Sequence, residues 1–497
     1  MKKLLIKPLW IALACLFLAL FIGMLIGGSI ANTYARPIND YFGLDNFRTE
    51  TIGETENIDS EYYKSNYVQY NEDGSIKYTT DEETGYTHQL YDDQALLDHG
   101  IETARQVQKE GTTILWNNAE GSSVKGLPLV PGNKISLFSH SSVAWVNSGT
   151  GSGNAIILWT NEFKDRLEEA GLAVNPSLWS FYSVGDGRNY TRVNGEDPNE
   201  VPWSRYSDDV RNSFGNYGDA AVITLSRVSG ERMAGYEIND VLRPGSIEGR
   251  NAKTISGDYF GLSQEEKDMI ENVIELKKAG TFKKVIILLN TAVGMNFKEL
   301  MPYRNDPNGV DACVWTGQTG THGLYAVADI LAGKAVPSGH LPDTFVYDGK
   351  SAPAEVNGSS GNYTNASSMR FQNETYQNYY IVYAENIYVG YKYYETRYED
   401  AVMGEGNAGS RKGAVNSSLG WKYDEEVAFP FGYGSAYTEF EYSNFSAVSD
   451  EDGNYTVSVT VTNTGETVGA DAVQVYLQKP YTDYDREHGI EQAAVNL

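Results

Sequence analysis

Three short runs, Asp219–Leu225, Val285–Leu289 and Asp311–Trp315, are almost continuously apolar, and Lys134–Phe138 reads as a fourth strand of the same kind. A strand with one wet face alternates apolar and polar residues. One without that alternation must be covered on both faces. Helix-period stretches stand between these runs. Apolar residues recur at Leu97, Ile101, Ala104 and Val107, and Ala155–Ala170 sets Phe163, Leu167 and Ala170 on one face. Ser263 with Glu266 three residues on is a capping box, which opens a helix to about Ala279. Residues Gly323–Leu331 read as another helix. The alternation predicts an α/β fold, a three-layer αβα sandwich around a mostly parallel sheet. Ligands on such sheets gather beyond the carboxyl ends of strands. The loops after Phe138, Leu225, Leu289 and Trp315 are therefore where a site is expected.

The flanking segments have other textures. Lys2, Lys3 and Lys7 precede an apolar stretch over residues 9–31, long enough for an N-terminal transmembrane helix. The lysines orient the remainder outward. This predicts a single-pass signal anchor at a cell membrane, with a cleaved signal peptide and secretion as the alternative. Residues 1–35 form that segment, and 36–93 read as a polar stalk with little core. The α/β domain spans 94–348. An irregular excursion, with one ordered piece around Tyr388–Tyr394, occupies 349–436. From Tyr437, period-two alternation in Tyr455–Thr462 and Ala472–Leu477 has β-sandwich texture. Residues 437–497 are too few for a whole sandwich of about 100 residues.

The 497 residues hold 66 Asp plus Glu against 39 Lys plus Arg, a formal net charge of -27. Such a chain repels phosphate backbones, and no basic run offsets it, so nucleic acid is excluded as a partner. The two cysteines, Cys15 and Cys313, lie in segments that cannot pair, and no close Cys/His grouping suggests a metal. No cofactor is expected.

Several segments together resemble glycoside hydrolase family 3, the β-glucosidases and their relatives. Ala104–Asn117 followed by Gly126–Leu129 resembles the helix, strand and turn that open the family's α/β domain. Ser226–Glu231 resembles its acid/base loop, and Gly257–Ser263 resembles the segment after that loop. Ala332–Pro342, with Thr344 and Phe345, resembles its closing turn. Tyr388–Tyr394 and Phe429–Gly434 resemble the join to a fibronectin type III-like module, and Asn463–Gly465 with Gln474–Leu477 that module's strands. The resemblance covers roughly Gln94 to Leu497. It implies the sandwich domain followed by a partial fibronectin type III-like domain. It also implies a departure. A complete member carries a (β/α)₈ barrel, about 250 residues in general, and neither a stretch to hold one nor its Ser-Asp-Trp nucleophile motif occurs in this sequence. The chain resembles a sandwich-first member cut before the barrel.

A retaining glycosidase needs two carboxyl groups about 5 Å apart, one as nucleophile and one as acid/base. By the resemblance the sandwich domain supplies the acid/base. Glu231 is the candidate, with Glu237 and Glu248 on the same long loop as alternatives. A surface ion pair of Glu231 with Arg227 or Arg232 is the plain competing reading. Candidate substrate contacts are Gly151, Ser152 and Gly153 in a glycine-rich loop, Arg227 and Ser229 beside Glu231, and His322 beyond the last strand. Trp145, Trp203 and Trp315 could stack on sugars, although burial is the default for tryptophan. The expected partners are a β-linked oligosaccharide or glycoside, a barrel in another chain, and the membrane through residues 9–31. A non-catalytic carbohydrate-binding module and an inactive remnant are the alternatives.

Overall fold

The computed structural model describes residues 67–80, 85, 87–90, 92–154, 163–192, 198–229, 259–353, 383, 385–404, 410, 411, 414, 416 and 420–497. The chain divides into two units, Met1–Leu96 and Leu97–Leu497. In the first, the polar stretch read as a stalk holds a short antiparallel hairpin of β1 (Tyr78–Thr80) and β2 (Thr87–Gln89). Its Tyr- and Thr-rich strands suit pairing. Ordered structure therefore begins ahead of the helix Asp93–Gly111, earlier than its periodicity alone predicts. Among the described residues no helix is long and apolar enough to cross a membrane. The segment 9–31 lies outside those residues.

The second unit is built on a six-stranded sheet. Its strands are β3 (Thr113–Trp116), β4 (Lys134–Phe138), β5 (Ala173–Val174), β6 (Ala220–Arg227), β7 (Val285–Thr291) and β8 (Ala312–Trp315). The order is β3-β8-β7-β6-β4-β5. All neighbours are parallel except β3, which runs antiparallel to β8. The four strands read from sequence form the centre, as their two-faced apolarity requires.

Successive residues of these strands feed two separate cores. Ala221, Ile223, Leu225, Ile287 and Leu289 pack with Met269, Ile270 and Val273 of helix Gln264–Lys278 and with Phe181 and Phe214. Ala220, Val222, Ile286, Leu288 and Val314 pack with Phe163 and Leu167 of helix Phe163–Glu169 and with Leu324, Val327 and Leu331 of helix Gly323–Leu331. Helices thus cover both faces, and the αβα sandwich follows. The helix expected over Ala155–Ala170 is described from Phe163 onward.

Beyond the sheet, β9 (Phe345–Val346) pairs with β10 (Val427–Phe429). Around them the predicted excursion has a core of its own. Helix Tyr391–Tyr398 places Tyr393 and Tyr394 with Tyr388, Trp421 and Val427. The C-terminal part is an antiparallel ribbon of β11 (Phe440–Ser449) and β12 (Tyr455–Asn463). The alternation in Ala472–Leu477 does not become the expected strand. Val473 and Val475 are exposed, and pairing starts only at β13 (Leu477–Gln478), against β14 (Val495–Asn496). A period-two pattern makes a strand only where a partner edge is available. The ribbon is fixed to the sandwich by Tyr437, whose hydroxyl donates to the Ile330 carbonyl at 2.7 Å, and by His340 facing Asp471 at 2.9 Å.

Candidate active site

The carboxyl ends of β4, β6, β7 and β8 point to one side of the sheet, and the loops there are cross-braced. Asn290, buried near the end of β7, is the brace. Its Oδ1 accepts from the Val146 backbone at 2.7 Å and from the Ser226 hydroxyl at 3.2 Å. Its Nδ2 donates to the carbonyls of Val146 and Gly317, at 2.9 and 2.7 Å. One side chain thereby ties the loops after β4 and β8 to the end of β6. Sequence reasoning missed it; the available signal was a lone amide ending an otherwise apolar strand. Replacing Asn290 with alanine strands two loops' polar groups away from water. The expected loss is about 2 kcal/mol of stability, together with faster hydrogen exchange at Val146. Denaturant unfolding and amide exchange would measure both, and unchanged exchange at Val146 would remove Asn290 from this role.

Above the brace lies a cleft of about 360 Å³, lined by Trp145, Asn147, Gly149, Gly151, Arg192 and Val228 among others. Such a volume falls at the small end of ligand sites. The glycine-rich loop forms one wall. Its position next to the loop after β6 requires glycine at residue 149, where a Cβ would come within 2.9 Å of the Ser229 carbonyl. The loop after β8 backs it. The Gly320 backbone donates to the Asn147 carbonyl at 2.7 Å, and the Trp145 indole donates to the Thr319 hydroxyl at 3.0 Å.

A buried ion pair holds the base of the β6 loop. Arg227, fully buried, reaches both oxygens of Glu266 at 2.8 and 2.7 Å. It also donates to the carbonyls of Ser226, Tyr259 and Gly261. Glu266 is the capping-box residue of helix Gln264–Lys278, and its second oxygen accepts from the Ser263 backbone at 2.9 Å. Arg227 is buried and is not among the residues lining the cleft. Its donors are spent on Glu266 and on the two ends of the segment 228–258. Val228 N–H donates to the Tyr259 hydroxyl, which closes the same anchor.

A second polar network lies under the β4 loop. Ser139 holds φ at 81°, in the left-handed region that only a few per cent of non-glycine residues adopt. Its backbone donates to the Tyr182 hydroxyl at 2.9 Å, and that hydroxyl meets Tyr206. The buried carboxyl of Glu200 takes hydrogen bonds from the Ser139 side chain and from the Val201 and His140 backbones. Burial nevertheless pushes its pKa up to about 7. His140 is shifted the opposite way, towards its neutral form, by burial and by the charge of Arg192.

The sequence-derived candidates fall in different places around the cleft. Gly151 lines it, and Ser229 stands at its edge against Gly149. Ser152 and Gly153 continue the turn Gly151–Gly153 and face solvent. His322 stands at the start of helix Gly323–Leu331 and is not among the lining residues. Trp145 lines the cleft with its ring 4.7 Å from Phe163, Trp203 packs at 4.6 Å on Tyr206, and Trp315 sits edge-on to Phe345. Glu231, Glu237 and Glu248 lie outside the described residues. No metal-binding group of His, Cys, Asp and Glu occurs among the described residues.

Comparison with known proteins agrees with this architecture. The family model of the glycosyl hydrolase family 3 C-terminal domain matches residues 112–391. The beta-glucosidase of Ruminococcus albus is 27% identical over 392 residues, which cover 76% of this chain and 32% of that protein. Beta-glucosidase A of Butyrivibrio fibrisolvens is 27% identical over 400 residues, 76% of this chain and 42% of its own. Beta-glucosidase 3B of Thermotoga neapolitana, solved in complex with glucose, superposes with a TM-score of 0.57 at 27% identity, over 82% of this chain and 47% of that one. The chain thus spans less than half the length of these relatives. The matched model takes in most of the sandwich, from β3 through helix Gly323–Leu331 to the Tyr388–Tyr391 join, and on that ground the chain belongs to glycosyl hydrolase family 3 through that family's C-terminal domain.

Proposed function

We propose that residues 97–497 form the acid/base half of a retaining β-glycosidase that hydrolyses terminal β-linked sugars. The nucleophile comes from a barrel that residues 1–497 do not supply. Residues 9–31 anchor the protein in a membrane, with the main body outside. One observation supports the reading most directly: Val228 and Ser229, which lead into Glu231, border the cleft at the carboxyl end of the central strand. In this reading Glu231 protonates the departing oxygen, then takes a proton from water. A barrel closing over the cleft would desolvate Glu231 and raise its pKa towards neutrality. Glu237 and Glu248 are the alternatives on the same loop.

The test is an assay of the full chain on nitrophenyl β-glycosides, alone and mixed with a separately produced family 3 barrel. Hydrolysis is expected in the mixture, and Glu231→Gln should reduce it at least about a hundredfold, the usual lower range for a positioned acid. Hydrolysis that survives loss of Glu231, Glu237 and Glu248 together would refute this chemistry. The absence of a Ser-Asp-Trp motif from the sequence favours a second reading, a non-catalytic carbohydrate-binding module. It predicts retention on insoluble β-glucan with no turnover in the mixture.

A further inference from the structure

Two buried donors, one lining the cleft and one beside its glycine-rich wall, have no acceptor. The guanidinium of Arg192 forms part of the lining, and its Nη1 is shut away from solvent without a hydrogen-bond partner among the described residues. The amide Nε2 of Gln318 is also buried and unpartnered, while its Oε1 lies beside Gly149 on the other side of the loop. A buried donor without an acceptor costs free energy, and a cation costs more. No carboxylate among the described residues is paired with Arg192. His140, buried nearby, is held towards its neutral form by burial and by the charge of Arg192, so it adds no second cation. A sugar hydroxyl both donates and accepts, whereas a carboxylate only accepts. An excess of donors that includes a full cation matches the second.

We propose that Arg192 makes this cleft selective for an anionic sugar, a pyranose ring carrying a carboxylate. The inference rests on reading the cleft as the sugar site and adds the class of sugar. Arg192 supplies the charge, and the backbone of Gly149–Gly151 the close wall for the ring. The acidic surface of the protein opposes anions at long range, so any preference comes from these local donors. It is best measured at about 0.15 M salt, where distant charges are screened beyond about 8 Å.

The experiment titrates D-glucuronate, D-glucose and acetate into the full chain in detergent and follows each by calorimetry. Glucuronate is expected to bind about tenfold more tightly than either glucose or acetate, the value of one charge-assisted bond. Arg192→Gln should erase the preference, bringing glucuronate to the affinity that glucose has in the same variant. Arg192→Lys should retain part of the preference, as a point charge without the fork. Arg192 donates no hydrogen bond within the described fold and its burial is unfavourable, so Arg192→Gln is expected to melt no lower than the parent. Equal binding of glucuronate and glucose, or a preference that survives Arg192→Gln, would overturn the inference and leave the glycosidase reading intact. Acetate binding as tightly as glucuronate would overturn it in favour of a free-anion site. Failure of all three ligands to bind would overturn both this inference and the sugar-site reading of the cleft.

Discussion

Replacing Glu266 with alanine is expected to cost about 3–5 kcal/mol of stability, the usual effect of leaving a buried charge without its partner. Folded domains commonly hold about 5–15 kcal/mol, so this single change takes a large share. The reason is geometric. Arg227 is completely buried, spans both carboxylate oxygens, and shares that carboxylate with the Ser263 cap of helix Gln264–Lys278. Alanine at 266 therefore removes a counterion and a helix cap together. The double variant Arg227→Met, Glu266→Leu should recover part of the loss, because an apolar pair removes the stranded charge. It should not recover all of it. The carbonyls of Tyr259 and Gly261 now receive Arg227 donors and would be left bare. These residues lead out of the segment bearing Glu231, so both variants should also lose activity beyond their loss of fold. Urea unfolding of the parent, Glu266→Ala and the double variant decides it. A loss below about 1 kcal/mol in Glu266→Ala would mean that the pair is hydrated and not structural.

What was legible in the sequence was what local pattern decides. Val285–Leu289 and Asp219–Leu225 are apolar at nearly every position, so only the middle of a covered sheet suits them, and both are found there. The Ser263–Glu266 box is four residues of local chemistry, and both of its hydrogen bonds form. The features that sequence left open share a different cause. The direction of β3 is set by β8, about two hundred residues away, and nothing within Thr113–Trp116 encodes it. Arg227 stands just past the apolar run of its strand and shortly before a glutamate, which reads as a surface ion pair. Its true counterion is 39 positions on, supplied by the packing of a helix. Asn290 is similar: its four hydrogen bonds go to Val146, Ser226 and Gly317, which only the closed sheet brings together. The site was legible as a place, the carboxyl ends of named strands, and as a loop, Gly149–Asn154. Arg192 was not, because a lone arginine in a polar stretch carries no sign that its partner is missing.

Glu200 should make the protein lose stability as pH rises through the neutral range, and Glu200→Gln should abolish that loss. The sign follows from burial. An unfolded glutamate titrates near 4.5, whereas in the fold burial raises the pKa of Glu200 to about 7. Between those values the folded state holds more protons than the unfolded one, so stability falls with increasing pH. The contribution is complete below pH 4.5 and lost once pH passes 7. The shift corresponds to about 3 kcal/mol. His140 works in the other direction. Its pKa is lowered by burial and by Arg192, so its contribution is present above the unfolded value of 6.5 and lost as pH falls. Both proteins keep His140, and its effect cancels in their difference. Glutamine fixes the neutral form at 200, so the variant should match the parent near pH 4.5 and exceed it by up to about 3 kcal/mol at about pH 8. Unfolding curves at half-unit pH steps give the two slopes directly. Parallel slopes would show that Glu200 stays ionised throughout and that its bonds from Ser139, His140 and Val201 outweigh desolvation. The outcome also bears on the cleft. Those bonds hold Ser139 in its left-handed backbone at the start of the loop that runs through Trp145 to Gly151. A carboxyl that ionises there acts on the wall of the site, so ligand affinity should change over the same pH interval in the parent and stay level in the variant.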